Sequence, residues 1–374
     1  MGYQTLAGDY SISAKFCRPD NGYNGNVIQL LSHGIGFDKT YWDLSFNDYN
    51  YSYVEVAINN GYTTLAIDRL GIGNSSHGDP INAIQAQAEI EALNSVTAQL
   101  RSGHIPGISQ AFSKVIHVGH SFGSIQSYWF SSLYPNNTDG LVLTGYGPNG
   151  SFLPTTVASW NLRIARLDQP LRFGNASNAL ILRNPQFYGS NNRLVRATQA
   201  ILRELGFNVG RQEIWEDIAT TELANLINGY NTSVVSLDYP SGYLVWPDLT
   251  ANQYAFLLKG RYDVGLGLAA ESGKQPVTAG ELLTIGSSPA LSSFAGPVLV
   301  FTGSHDQPFC GGDCFSTGGT VASIPAQAKQ QFPNASAFEA YIQPETAHGL
   351  NLHYNATAGY KVIQNWLGSH GLAA

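Results

Sequence analysis

Six short runs rich in β-branched and aliphatic residues punctuate the chain, at 27–32, 62–67, 114–119, 140–144, 297–302 and 336–342. Each reads as a strand candidate. Helical patterns separate them, at 51–60, 81–101, 121–134, 321–332 and 353–367. This alternation predicts an α/β fold, a mostly parallel, doubly wound sheet with helices on both faces. Residues 10–18 alternate instead, which predicts an antiparallel strand ahead of the others. The rhythm stops at 148 and resumes at 297. A gap of about 150 residues is an inserted domain rather than a loop. Segments 193–205, 212–227 and 254–268 carry apolar residues at helical spacing. The expected organisation is a core of 1–147 and 297–374 with a mainly helical cap at 148–296.

Composition narrows the class of partner. Hydrophobic residues make up 43% of the chain and charged ones 12%, which excludes intrinsic disorder. The formal charge is −7, with 26 acidic against 19 basic residues and no basic block. This balance argues against nucleic acid and anionic membrane as partners. No apolar run approaches the roughly 20 residues of a membrane-spanning helix. Residues 1–25 contain no apolar targeting core, so any secretion leader lies outside this sequence. Sequons stand at Asn74, Asn136, Asn149, Asn175, Asn231, Asn334 and Asn355, and seven Lys accompany twelve Arg. Together with the Cys-Gly-Gly-Asp-Cys element at 310–314 these point to a secreted, glycosylated eukaryotic protein. Of three cysteines, Cys310 and Cys314 are the sequence-local disulfide pair, with Gly311 and Gly312 supplying the bend. Cys17 is then an unpaired thiol.

The chemistry centres on Gly119-His120-Ser121-Phe122-Gly123, which lies between a strand-like and a helix-like segment. A G-x-S-x-G run in that setting forces the serine into a sharp turn and projects its hydroxyl above the strand ends. A serine needs a base, and the base needs an orienting carboxylate. Asp306 follows the strand at 297–302, and His348 follows the strand at 336–342, so both reach the same rim as Ser121. Asp313 is a rival acid, farther from its strand. His353 falls in the final helical pattern, and His305 is too near Asp306 to serve as its partner. His33, His117 and His120 have no metal-ligand spacing, and neither metal nor cofactor is assigned. Developing negative charge on a carbonyl oxygen calls for two backbone donors. These are the N–H of Phe122, after the serine, and of Ile35, in the His33-Gly34-Ile35-Gly36 loop.

The segments at 33–36, 68–75, 119–123, 303–306 and 347–349, in this order and spacing, resemble the α/β-hydrolase superfamily, specifically members with a helical cap inserted after the sixth strand. The resemblance implies that fold and the Ser121, His348, Asp306 triad, and gives the loop at 68–75 a structural role. It argues against epoxide hydrolases and dehalogenases, which carry an Asp where Ser121 stands. The expected activity is cleavage of a small carboxylic ester or lactone with an apolar or aromatic group. Phe37, Tyr41 and Trp42 are candidates for binding it, with Trp160, Phe187, Trp215, Tyr243 and Trp246 as cap aromatics. Two alternatives remain. One is a proline-selective aminopeptidase using Glu213, Glu216 or Glu222 of the cap; the other is a non-catalytic binding protein on the same fold.

Overall fold

A computed structural model describes residues 5–20, 25–174 and 237–374. Seven strands form one sheet in the order β1-β3-β2-β4-β5-β9-β10. They are β1 (Ala14–Cys17), β2 (Val27–Ser32), β3 (Thr63–Ile67), β4 (Lys114–His120), β5 (Gly140–Thr144), β9 (Pro297–His305) and β10 (Ala337–Ala347). Only β1 is antiparallel, paired with β3; the other five pairings are parallel. Every residue of β2, β3 and β5 is buried, including Gln29 of β2, whose amide bonds Gln364 and Tyr53. Helices Tyr53–Asn59, Ala86–Ser102, Phe122–Leu133 and Ala356–Ser369 connect or cover the strands. The parallel strands end together at one rim, where open α/β sheets hold their ligands.

Several expectations are corrected. The segment at 10–18 pairs only over Ala14–Cys17. The helix expected from 81 starts at Ala86, because Asp79 Oδ1 accepts the N–H groups of Ile81 and Asn82 and holds a turn there. The segment at 321–332 is a 3₁₀ helix, Pro325–Gln331, since proline denies it an earlier α-helical start. The pattern at 254–268 splits into Leu249–Phe256 and Val264–Ser272: Gly260 has φ +77°, and Asp263 caps the second helix through the N–H of Gly265. His353 precedes the last helix, which begins at Ala356.

The long insertion leaves the sheet after β5, the fifth strand among the described residues. Among its described residues are the helices Leu153–Ser159, Leu249–Phe256, Val264–Ser272 and Ala279–Thr284. Strands β6 (Arg163–Ile164), β7 (Tyr243–Val245) and β8 (Val277–Thr278) form a small antiparallel sheet that the helical pattern did not announce. Two of the three are only two residues long, too short to leave an alternation. Trp160, Trp246, Phe256 and Leu266 belong to the same apolar core as the strands of the main sheet. The expected helices at 193–205 and 212–227 lie outside the described residues, as do Asn175, Asn231, Phe187, Trp215, Glu213, Glu216 and Glu222.

No helix among the described residues is long and apolar enough to cross a membrane. Cys310 and Cys314 form a disulfide, and Cys17 is free and partly buried. Asn74, Asn136 and Asn334 are exposed, whereas Asn149 and Asn355 are half-buried. The Asn355 amide is engaged at both ends, donating to Pro344 O and accepting from Thr346 Oγ1. A further sequon, Asn50-Tyr51-Ser52, has its serine buried and hydrogen-bonded to Asp43.

Candidate active site

Ser121 stands between the last residue of β4 and the first of the helix Phe122–Leu133, at φ 55° and ψ −116°. This is a left-handed conformation that costs a non-glycine residue free energy of order 1–3 kcal/mol and persists where packing enforces it. The flanking glycines show how. A Cβ on Gly119 would lie 2.4 Å from Gly123 O, and one on Gly123 would lie 2.3 Å from Ser32 O. Strand and helix therefore approach as backbone on backbone. The Ser121 N–H donates to Thr144 O at 2.9 Å, tying the turn to the end of β5.

Asp306 directly follows β9 and is fully buried. Its Oδ1 accepts the Phe309 N–H at 2.9 Å, and its Oδ2 accepts from Thr302 Oγ1 at 2.5 Å and from His348 Nδ1 at 2.7 Å. His348 follows β10, is also buried, and its Nε2 has no hydrogen-bond partner. A proton on Nδ1 leaves Nε2 as a free base. Asp313 is exposed and caps a turn through the Phe315 N–H, and His305 is exposed beside Ser304. The disulfide loop is fastened to the same strand end: Cys310 N–H donates to Asp306 O and Cys314 N–H to Ser304 O, each at 3.1 Å.

The loop after β2 lies against the serine. A Cβ on Gly34 would stand 2.7 Å from Ser121 Cβ and 3.2 Å from His120 O, so any side chain there would displace the serine. His33 accepts the Arg69 N–H on Nε2 and donates from Nδ1 to Gly34 O at 2.8 Å. Burial and the Arg69 charge hold its pKa well below the ordinary value, so it stays neutral. His120 is neutral for the same reason, burial first and the neighbouring His348 second. Thr144 Oγ1 donates to Gly119 O, so it must accept from His120 Nδ1, leaving His120 Nε2 as an unpartnered lone pair. His117 bonds Thr138 and Thr97 in the core, far from this role.

Aromatic rings close around His348. Phe256 stacks on it at 5.7 Å between ring centres and Phe309 approaches at 5.7 Å. Phe37 meets Phe256 edge-on at 4.9 Å, and Trp160 and Trp246 pack behind Phe256. Tyr41 stacks on His120 at 4.4 Å and meets Phe37 at 4.7 Å, while Trp42 is core packing between Tyr41 and Tyr53. Tyr243 is buried in a second cluster with Tyr239 and Phe173.

His353 has a part that its helix-like neighbourhood concealed. Its Nε2 accepts the N–H groups of Leu258 at 3.0 Å and Ala347 at 3.2 Å, and its Nδ1 donates to Gly349 O at 2.9 Å. Gly349 N–H donates in turn to Phe256 O at 2.8 Å. One buried imidazole thus joins the loop that carries His348 to the inserted segment. Burial lowers its pKa to about 4, which suits an acceptor facing two donors.

No curated protein sequence matches the chain. Solved structures similar to it include an esterase from Thermogutta terrifontis, 14% identical with a TM-score of 0.46 over 97% of this chain and 94% of that one. An epoxide hydrolase from Vigna radiata is 18% identical, TM-score 0.45, over 96% and 94%. A carboxylesterase of Nitrososphaera gargenis is 15% identical, TM-score 0.47, over 99% and 98%. The sequence profile described as the Alpha/beta hydrolase family matches residues 29–358. With that match spanning most of its length, and a parallel sheet that gathers a serine turn, an acid and a histidine at one rim, the chain belongs to the alpha/beta hydrolase family.

Proposed function

We propose that the protein is a serine hydrolase that cleaves a carboxylic ester or lactone through an acyl-enzyme on Ser121. One observation carries the reading: His348 Nδ1 is bonded to the buried Asp306 carboxylate at 2.7 Å while its Nε2 has no protein partner, on the rim that holds Ser121. In this reading Ser121 Oγ adds to the substrate carbonyl and its proton passes to His348 Nε2. The carbonyl π pair moves onto oxygen, where the N–H groups of Ile35 and Phe122 receive it. Collapse expels the alcohol, which takes the proton from His348. Water then repeats the sequence, releasing the acid and restoring the serine. Asp306 holds the imidazole in the required tautomer and stabilises it when charged.

Residues 148–296 act as the cap over the site, and Phe37, Phe256, Phe309 and Trp160 bound the acyl or alcohol group. An uncharged, apolar or aromatic substrate group fits these surroundings. The aminopeptidase alternative needs a free carboxylate near the serine. Among the described residues of the inserted segment, the buried Glu271 and Glu281 are held by Lys274 with Trp246 and by Arg69, while Glu213, Glu216 and Glu222 lie outside the described residues. Asp248 and Asp263 cap helices. The disulfide favours an oxidising compartment, and with the exposed sequons it supports secretion and glycosylation.

A fluorophosphonate probe and a panel of p-nitrophenyl esters from short to long acyl chains test the reading. Wild type should label and turn over ester, and Ser121→Ala should lose both with its melting temperature nearly unchanged. Equal labelling of the Ala variant sinks the assignment.

A further inference from the structure

Arg69 is a buried charge that the mechanism above does not use. It lies just beyond β3, and its Nη1 donates to Glu89 Oε2 and Glu281 Oε1 at 2.5 Å each, with all three side chains at most 1% exposed. Glu89 belongs to the helix Ala86–Ser102 and Glu281 to the helix Ala279–Thr284, within the inserted segment. One cation between two carboxylates leaves more acidic than basic groups in a buried site. Burial, against the pull of the Arg69 charge and with the Glu281 charge adding to it, pushes the Glu89 carboxyl well above its ordinary pKa.

Two contacts run from Arg69 toward the serine. Its guanidinium stands 4.7 Å from the centre of the Phe122 ring. Its backbone N–H donates to His33 Nε2 at 3.1 Å, which leaves the His33 proton on Nδ1 to hold Gly34 O. Gly34 O and the Ile35 N–H belong to one planar peptide unit, so a held carbonyl also aims the N–H. A side chain anchored by two carboxylates fixes the position of its own backbone.

We propose that Arg69 is a positioning residue for both oxyanion donors, pressing on Phe122 and aiming the Ile35 N–H through His33, with Glu281 making the inserted segment part of the same frame. This rests on the hydrolase reading above, because the two donors matter only if an oxyanion forms at Ser121.

Removing the cation alone would strand buried carboxylates, so the test uses two variants. One is the neutral triple change Arg69→Met, Glu89→Gln, Glu281→Gln. The other is Arg69→Lys, which keeps the charge without the planar face. Melting temperature, kcat and KM on p-nitrophenyl acetate, and the inhibition constant of phenylboronic acid are measured for each and for wild type. The boronic acid accepts Ser121 Oγ, whose proton goes to His348, and becomes a tetrahedral anion in the oxyanion position. Expected for the folded triple variant is a KM within about twofold of wild type, with kcat and boronate affinity falling together by about ten- to a hundredfold. The acid limb of kcat/KM should stay in place, and Arg69→Lys should lose less. A folded triple variant with wild-type kcat and boronate affinity overturns the proposal, as does a fall in kcat with boronate affinity unchanged. If the triple variant does not fold, Arg69→Lys is judged by the same criteria. A wild type that neither turns over ester nor binds the boronate overturns the hydrolase reading itself, and this inference with it.

Discussion

Replacing Asp306 by Asn changes one atom, and the surrounding hydrogen bonds dictate which way the new amide faces. The Phe309 N–H at 2.9 Å requires an acceptor at the Oδ1 position, so the amide oxygen settles there and the NH₂ takes the place of Oδ2. That NH₂ faces His348 Nδ1, now at 2.7 Å from a donor, and the imidazole must move its proton to Nε2 to accept from it. A protonated Nε2 cannot take the proton of Ser121. The variant also loses the charge-assisted bond that stabilises the imidazolium. The combined loss is expected to be about 10³- to 10⁴-fold in kcat, roughly 4–5.5 kcal/mol of transition-state free energy. Thr302 Oγ1 can rotate to accept instead of donate, so the fold should survive. Stopped-flow hydrolysis of p-nitrophenyl acetate, with melting temperature as the folding control, measures this. A folded Asp306→Asn enzyme keeping more than about a tenth of wild-type kcat, or a larger loss in Asp313→Asn, would refute the assigned orientation of the imidazole.

Other perturbations follow from the same geometry. Gly34→Ala places a methyl 2.7 Å from Ser121 Cβ, so it should cut kcat by about a hundredfold without abolishing folding; circular dichroism and ester turnover check both halves. His353 has a folded pKa of about 4 against roughly 6.5 unfolded, a depressed value in a base, so its contribution is complete above pH 6.5 and is lost as pH falls toward 4. That difference amounts to about 3 kcal/mol at most, and His353→Gln should flatten the decline of denaturant-measured stability over that window. Breaking the Cys310–Cys314 bond with serines should cost less than the roughly 3 kcal/mol of a fifteen-residue loop, with protease sensitivity rising only near 306–320; two free thiols in protein made under oxidising conditions would contradict the pairing. Trp160→Ala should change the ratio of rates between short- and long-acyl esters by about tenfold while phosphonate labelling of Ser121 changes little.

What the sequence made visible and what it hid divide along a physical line. Strands buried on both faces leave runs dominated by apolar residues, so β2 and β5 could be bounded to the residue. The serine turn was visible because its sterics demand glycine at 119 and 123 within five consecutive positions. Asp306 and His348 were placed by the strands they follow, although their contact joins positions 42 apart. Hidden were the features made by partners with no local trace. The Arg69–Glu281 pair spans 212 positions, and nothing in either neighbourhood announces the other. His353 falls within the helical spacing although Asn355, a residue type favoured at helix starts, opens the helix after it, and its three backbone bonds depend on the fold being complete. The helix expected over 254–268 failed at Gly260, whose freedom at positive φ outweighed the apolar spacing around it.

The indole of Trp246 fills the space that a side chain at position 36 would need: a Cβ there would fall 1.8 Å from its Cη2. Gln275 N–H donates to Gly36 O from the same segment, at 3.0 Å. The two parts of the molecule are therefore keyed like a bolt in its slot, and exchange of the segment between relatives is constrained from both sides. A graft whose residue at the Trp246 position is small would leave a void above Gly36, and a recipient with any side chain at 36 would reject the tryptophan. Shuffling for altered specificity should move the loop at 33–38 together with 237–296 as one unit. Libraries that vary only the inserted segment would lose most members to this misfit before selection for activity begins.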